Sequence, residues 1–166
     1  MINSFPKRKE NRLKNFDYGS YGYYFVTVCT KNKECFFWED KSHVGADIIR
    51  PHLEHLSENG IIVDKTIKNI EKHYENVLVD KYVIMPNHIH LILVLSPPQG
   101  GRIISAPTIS QIVGQMKRVV SRDLKFDVWQ KSFHDHVIRN QNDYEKIWNY
   151  IDNNHMKWEL DCFYTK

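Results

Sequence analysis

The chain is poor in cysteine. Cys29, Cys35 and Cys162 are its three, an odd number with no CxxC pair among them. This argues against both a disulfide framework and a zinc–cysteine centre, and for a reducing compartment. No apolar run approaches membrane-spanning length, and charges stand near the N-terminus where a signal peptide would need an apolar core. The expected location is therefore the cytoplasm. Internal repeats and low-complexity tracts are also lacking. With 166 residues the chain is long enough for one compact domain with a real core, and short for two. Net charge is only +3, but it is uneven: MINSFPKRKENRLK, residues 1–14, holds Lys7, Arg8, Lys9, Arg12 and Lys14 against Glu10 alone. Such a basic arm reads either as a phosphate-backbone contact or as a solubilising tail.

What the chain does have is a series of well-marked elements. GYYFVTVCT (Gly22–Thr30) is β-branched and aromatic and predicts a strand. Ile48, Ile49, Leu53 and Leu56 recur at helical spacing between Val44 and Glu58, and Ile67, Ile70 and Tyr74 do so within Asp64–Tyr74. VLVDKYVI (Val77–Ile84) and HIHLILVL (His88–Leu95) predict an antiparallel pair joined by a turn at Met85-Pro86-Asn87. Ser96–Pro107 is a Pro- and Gly-rich loop, readable as a mobile flap. Thr108–Phe126 is amphipathic, Val128–Arg139 reads as one or two extended segments, and Asn142–Trp158 opens on a cap-like Asn-Asp and continues as helix. The order predicts an α+β fold, a ferredoxin-like β-α-β-β-α-β core with one more helix at its C-terminal end.

The informative stretch is MPNHIHLILVL. Residues two apart on a strand share a face, so His88 and His90 stand side by side while Ile89 and Leu91 anchor the opposite face. Two imidazoles at this spacing suit two neighbouring positions on one divalent metal. A second pair, His134 and His136 in FHDHV, has Asp135 at its centre and lacks that apolar anchor, which reads as a DNA-proximal or merely exposed pair. His43, His52, His55 and His73 fall in polar helical stretches and should face solvent. The His-x-His-x-His strand of the HIT-type nucleotide hydrolases is a rival pattern, but Ile92 occupies its third position.

Ile92 and Val94 share the histidine face, so something apolar must cover it. The last helix qualifies through the stripe Tyr144, Ile147, Trp148 and Ile151. At about 100° per residue, Tyr150 lies roughly 110° and Asn154 roughly 70° from the centre of that stripe, one turn apart on one flank. Docked over the sheet, the helix would present both where the histidines emerge.

YVIMPNHIHLILVL resembles the His-hydrophobic-His strand of the single-tyrosine HUH transposases. VWQKSFHDHVIRNQNDYEKIWNYIDNNHMKW resembles the tract that carries their catalytic tyrosine, and NRLKNFDYGSYGYYFVTVCTKNKECFF fits their opening. The branch it most resembles is that of the REP-associated tyrosine transposases. The resemblance implies a Mg²⁺ or Mn²⁺ ion on His88, His90 and Asn154, with Tyr150 as nucleophile. It implies cleavage of single-stranded DNA beside a hairpin, leaving a 5′-phosphotyrosine and a free 3′-OH. It also implies either a monomer, as in this branch, or a homodimer, as in mobile-element relatives. One departure stands out: Asn154 is followed by His155 where the family often has proline, so the helix can continue and His155 could compete as a ligand.

DNA-contact candidates are Arg12 and Lys14 in the arm, Lys117 and Arg118 on the amphipathic helix, Trp129 as a stacking surface, and Arg139 ahead of the last helix. Two other functions keep the fold or the metal alone. An RRM-type RNA binder would share the sheet, but no strand carries the RNP signature and the histidine pair would have no use there. A hydrolytic metal nuclease would leave Tyr150 idle. A catalytically silent DNA-binding descendant would keep every motif.

Overall fold

The structure, a computed structural model, describes residues 20–39, 56–97 and 107–164. The basic arm with Arg12 and Lys14, most of the expected 44–58 helix and the core of the expected 96–107 loop lie outside these ranges, as do His43, His52 and His55. Four strands, β1 (Gly22–Cys29), β2 (Val77–Met85), β3 (His88–Leu95) and β4 (His134–Ile138), form one antiparallel sheet in the order β2-β3-β1-β4. Between β1 and β2 come α1 (Glu58–Lys68) and α2 (Ile70–His73); α3 (Ile109–Leu124) links β3 to β4, and α4 (Gln141–Asn154) follows. This is the β-α-β-β-α-β core with a C-terminal helix that the sequence predicts.

The alternation of side chains sorts the sheet into two apolar layers. Tyr24, Val26 and Val28 of β1 and Ile89, Leu91, Leu93 and Leu95 of β3 pack under α1 and α3, which contribute Val63, Ile67, Ile112 and Met116. The other face is covered by α4: Ile92, Val83, Met85 and Ile138 meet Ile151, Tyr144, Ile147 and Trp148. Because β3 is covered on both faces, all eight of its residues are buried, histidines included. A register irregularity between Val79 and Lys81 reverses the side-chain parity of β2. It lets Val77 and Val79 serve the first layer while Lys81 reaches α4, over the Trp148 ring and against Asp152.

Helix ends differ from the sequence expectation in three places, the first being the helix expected over Asp64–Tyr74, which breaks at Asn69 between α1 and α2. Glu58, expected to end a helix, begins α1, because Ser57 is its N-cap and accepts from the Gly60 amide at 3.2 Å. The helix expected to run from Asn142 to Trp158 starts at Gln141, capped by Asn140, and its α-turns stop at Asn154. Residues His155–Leu160 tighten into a 3₁₀ segment kinked at Lys157. Histidine in place of proline at 155 therefore does not prolong the α-helix. α3 opens on a full cap, with Thr108 and Gln111 forming a reciprocal capping box. Among the described residues no helix is long and apolar enough to cross a membrane, and all three cysteines are free.

Gly60 sits where α1 meets the Phe36–Phe37 backbone. Ser57 Oγ donates to the Phe36 carbonyl, the Ser57 amide donates to the Phe37 carbonyl, and a Cβ on Gly60 would lie 2.2 Å from that same Phe37 oxygen. Gly60→Ala should therefore lower stability by about 1–3 kcal/mol, as overpacking does. Urea unfolding checks this, and an unchanged midpoint would mean that the 36–37 segment yields freely.

Candidate active site

β3 is the inner strand that carries the histidines, and its start is held by the turn before it. Asn87, fully buried, donates its amide group to the carbonyls of Lys33 (3.1 Å) and Phe163 (2.9 Å). With both amide hydrogens committed, its Oδ1, 2.9 Å from His88 Nδ1, can only accept. His88 therefore carries its proton on Nδ1 and a lone pair on Nε2. His90 Nδ1 is 2.8 Å from the Thr27 hydroxyl, which can donate or accept. The two Nε2 atoms face each other at 3.0 Å. Two lone pairs cannot stay that close, so the pair needs a shared proton or a cation between them.

α4 brings the tyrosine in as its helical phase demands. Tyr150 Oη lies 3.2 Å from His90 Nε2, and its ring stands edge-on to Phe25, which stacks on His90 with centroids 5.2 Å apart. Asn154, one turn on, is 4% exposed; its Oδ1 is buried without a hydrogen-bond partner, while Nδ2 donates to Asp161 Oδ2 at 3.0 Å. Asp161 Oδ2 also accepts from Tyr150 Oη at 3.2 Å. His88, His90 and Asp161 each offer a ligand atom, all within 4.8 Å of one another. This His-His-Asp group could hold a metal ion. The orphaned, buried Asn154 oxygen fits a further donor to the same ion.

The chain's own C-terminal segment covers this cluster. The Phe163 ring lies 4.6 Å from His88 and Trp158 lies 6.1 Å from it, leaving His88 0% and His90 1% exposed. Burial pulls both imidazoles below the ordinary 6.5, and at His90 the neighbouring His88 adds to the fall. Both are neutral near pH 7, the state in which an imidazole can hold a metal ion. Tyr150 is shifted the other way, its phenol made less acidic first by burial and then by the negative charge of Asp161. As it stands the phenol is a poor nucleophile, and a cation beside Asp161 would offset that carboxylate's charge and favour the phenolate.

His88, His90, Tyr150 and Asn154, expected together, are brought together. The remaining expectations scatter. Lys117, Arg118 and Trp129 gather on a cleft on the α3 side, with Trp129 buried at 3% against Phe37, so it is a wall and not an open stacking platform. Arg139 follows Ile138, which pairs with Tyr23, whereas His90 pairs with Thr27. Four residues of strand separate those rows, about 13 Å, which is too far for Arg139 to hold a phosphate at the tyrosine. His134 and His136 do share the His88 face, but on the edge strand and exposed, with His136 Nε2 held by Asp143 at 2.8 Å. His155 opens the 3₁₀ segment, and the carboxylate of the cluster comes instead from Asp161. Asp161 and Thr27 carry no local sequence signal for this role. Asn87 does, in hindsight, as the residue before the first histidine.

A bound divalent ion should raise the midpoint of thermal unfolding. Because both imidazoles have lowered proton affinity in the folded state, the unfolded chain binds more protons as pH falls below about 6.5. Stability in chelator should therefore decline on acidification from there, and the gain from Mn²⁺ should shrink over the same range. Thermal melts at stepped pH, with and without Mn²⁺, check this. His88→Gln should abolish the metal gain, and a gain that persists in that variant would place the ion elsewhere.

No protein-family model matches the chain. An uncharacterized protein of Haemophilus influenzae is 34% identical over 180 residues, covering 95% of this chain and 93% of its own length. The structure of a REP-associated tyrosine transposase bound to a REP hairpin superposes with a TM-score of 0.57 at 22% identity, covering 83% of this chain and 70% of that one. The protein belongs to one family with the Haemophilus influenzae chain, and its fold is that of the REP-associated tyrosine transposases.

Proposed function

We propose that this protein is a metal-dependent DNA transposase or strand transferase of the single-tyrosine type, cutting single-stranded DNA beside a hairpin. The observation that carries the reading is the distance of 3.2 Å between Tyr150 Oη and His90 Nε2, in a cluster that also holds His88 and Asp161. An RNA-binding sheet has no need of a buried histidine pair aimed at a tyrosine. The hairpin in the structurally similar transposase supports hairpin DNA as the partner here.

In this reading His88, His90, Asp161 and the Asn154 oxygen are the residues that would hold the ion. Of Mg²⁺ and Mn²⁺, two imidazole donors favour Mn²⁺, since Mg²⁺ prefers an all-oxygen shell. The ion would supply Lewis-acid polarisation of the scissile phosphate and offset the charge that keeps the phenol protonated. Tyr150 Oη then attacks phosphorus, and the bond from phosphorus to the 3′ oxygen breaks. The phenol proton leaves, the departing 3′ oxygen takes up a proton, and the 5′ phosphate stays on the tyrosine. The phosphodiester's energy is thus kept for a second strand, which hydrolysis would discard. Asn87 and Thr27 hold the imidazole rings from behind, and Phe25 sets the plane of His90 against the tyrosine.

No phosphate can reach imidazoles that are 0% and 1% exposed, so residues 158–164 must move before DNA enters. Phe163→Ala removes the ring over His88 and should speed cleavage several-fold; slower cleavage would make the segment part of the catalytic apparatus.

The decisive experiment incubates the protein with labelled hairpin DNA carrying a single-stranded flank and Mn²⁺, then runs a denaturing gel. A covalent protein–DNA band is expected, absent for Tyr150→Phe, His88→Ala and in chelator. Cleavage that survives Tyr150→Phe with no adduct would make the protein a hydrolytic nuclease.

A further inference from the structure

A cleft of about 830 Å³ opens on the opposite side of the sheet from α4, between the Lys31–Lys33 turn, α3 and the 127–133 segment. Among the described residues, five cations line it, Lys31, Lys33, Lys117, Arg118 and Lys131, against the single acid Asp127. Lys117 is already committed, donating to the Gln130 carbonyl at 2.5 Å and reaching that of Ser132 at 3.5 Å, so it braces the far wall. The half-buried ring of Phe133 is also part of the lining. Cations interleaved with an aromatic ring are the chemistry of a single nucleic-acid strand.

Two backbone features point the same way. Gly114 lies mid-helix in α3, where glycine weakens a helix relative to alanine, yet a Cβ there would meet nothing within 4 Å. Among the described residues no neighbour requires the glycine, and it lines the cleft. A position left bare without a packing reason suits close approach of a ligand's backbone. The Lys31–Lys33 turn is strained as well, with Asn32 and Lys33 at φ of 56° and 59° in the left-handed region. It is pinned by the Thr30 hydroxyl, whose one hydrogen lies between the carbonyls of Glu34 (2.8 Å) and Asn87 (3.0 Å).

The cleft adjoins the candidate active site. The Lys33 carbonyl accepts from Asn87, the residue that orients His88, and the Lys33 amine stands 5.4 Å from the centre of the Phe163 ring that covers His88. Lys33 thus borders both the cleft and the ring that covers His88.

We infer that this cleft holds the unpaired DNA strand flanking the scissile phosphate, with its phosphates on Lys31, Arg118 and Lys131 and its backbone laid against Gly114. The inference rests on the single-strand-cleaving reading above, and binding measured without metal separates the two. Fluorescence anisotropy in chelator would compare a hairpin bearing an unpaired flank with the same hairpin trimmed flush. Wild type should bind the flanked form more tightly. Arg118→Glu and Lys131→Glu should each weaken flanked binding about tenfold and trimmed binding less than twofold. The logarithmic salt slope should fall by about 0.7 for each phosphate that is no longer neutralised. Gly114→Leu, which changes no charge, should weaken flanked binding while leaving the unfolding temperature unchanged or raised. Variants that bind the flanked hairpin as tightly as wild type, or that lose both forms equally, overturn the inference, as does a wild type indifferent to the flank. If wild type yields the tyrosine adduct but the variants keep their affinity, the cleft assignment alone falls. If flank binding depends on the cleft but no adduct forms, the cleft stands and the tyrosine chemistry falls.

Discussion

The site hangs on one fully buried side chain. Asn87 joins four parts of the chain: its amide group holds the Lys33 carbonyl of the turn after β1 and the Phe163 carbonyl of the C-terminal segment. Its Oδ1 accepts from His88, and its backbone carbonyl accepts from both the amide and the hydroxyl of Thr30. Every partner is used, which is the condition under which a buried polar group costs little and specifies much. Its orientation decides the tautomer of His88, hence which nitrogen points at His90, hence where an ion could sit. An aspartate here could not donate to two carbonyls, and an apolar residue would leave two carbonyls and an imidazole N–H buried without partners.

The cluster that follows from this is self-consistent in two states. Without a cation, the Thr27 hydroxyl donates to His90 Nδ1 and His90 Nε2–H donates to the lone pair of His88 across 3.0 Å. Were His88 and His90 to hold a cation, Thr27 would accept instead, with the His90 proton on Nδ1 and both Nε2 lone pairs free to act as donors. A hydroxyl is suited to that position because it can do either. The same arrangement keeps Tyr150 protonated, through burial and the Asp161 charge, so a cation at this cluster would act on the phenol and the imidazoles together. The C-terminal segment enters the cluster through one residue, since Asp161 is at once the tyrosine's acceptor, the partner of Asn154 and a member of the group that could hold a metal ion.

How much of this was legible in the sequence follows from how local each signal is. The boundaries of β3 and the hairpin turn before it could be read directly, because a long aliphatic run beginning after Pro-Asn has few other readings. The meeting of Tyr150 with His90 could be read too, since helical phase and strand parity are arithmetic. The end of α4 could not: nothing in NNHMKWEL marks Asn154 as the last α-helical residue, and packing of Trp158 against Trp38 and His88 outweighs local helix preference. Asp161 was missed for the same reason. It lies 11 positions after Tyr150, and only the kink at Lys157 returns it to the tyrosine. Likewise the start of α1 is decided by Ser57 and Gly60 meeting the Phe36–Phe37 backbone, a contact between distant segments.

The second histidine pair shows why spacing alone is weak evidence. His134 and His136 match His88 and His90 in separation, in strand conformation and even in the face they occupy, with His134 and His90 both opposite Thr27. They differ in what surrounds them. β3 is an inner strand covered on both faces, which strips water from its imidazoles and keeps them neutral. The Nδ1 atoms behind them are held by Asn87 and Thr27, so their Nε2 atoms have one direction to point. β4 is an edge strand whose histidines stay hydrated, and His136 has its Nε2 turned to a carboxylate of α4. A histidine pair is fitted to hold an ion by the partners behind the rings and by the burial of the side between them, and of these two pairs the first has both.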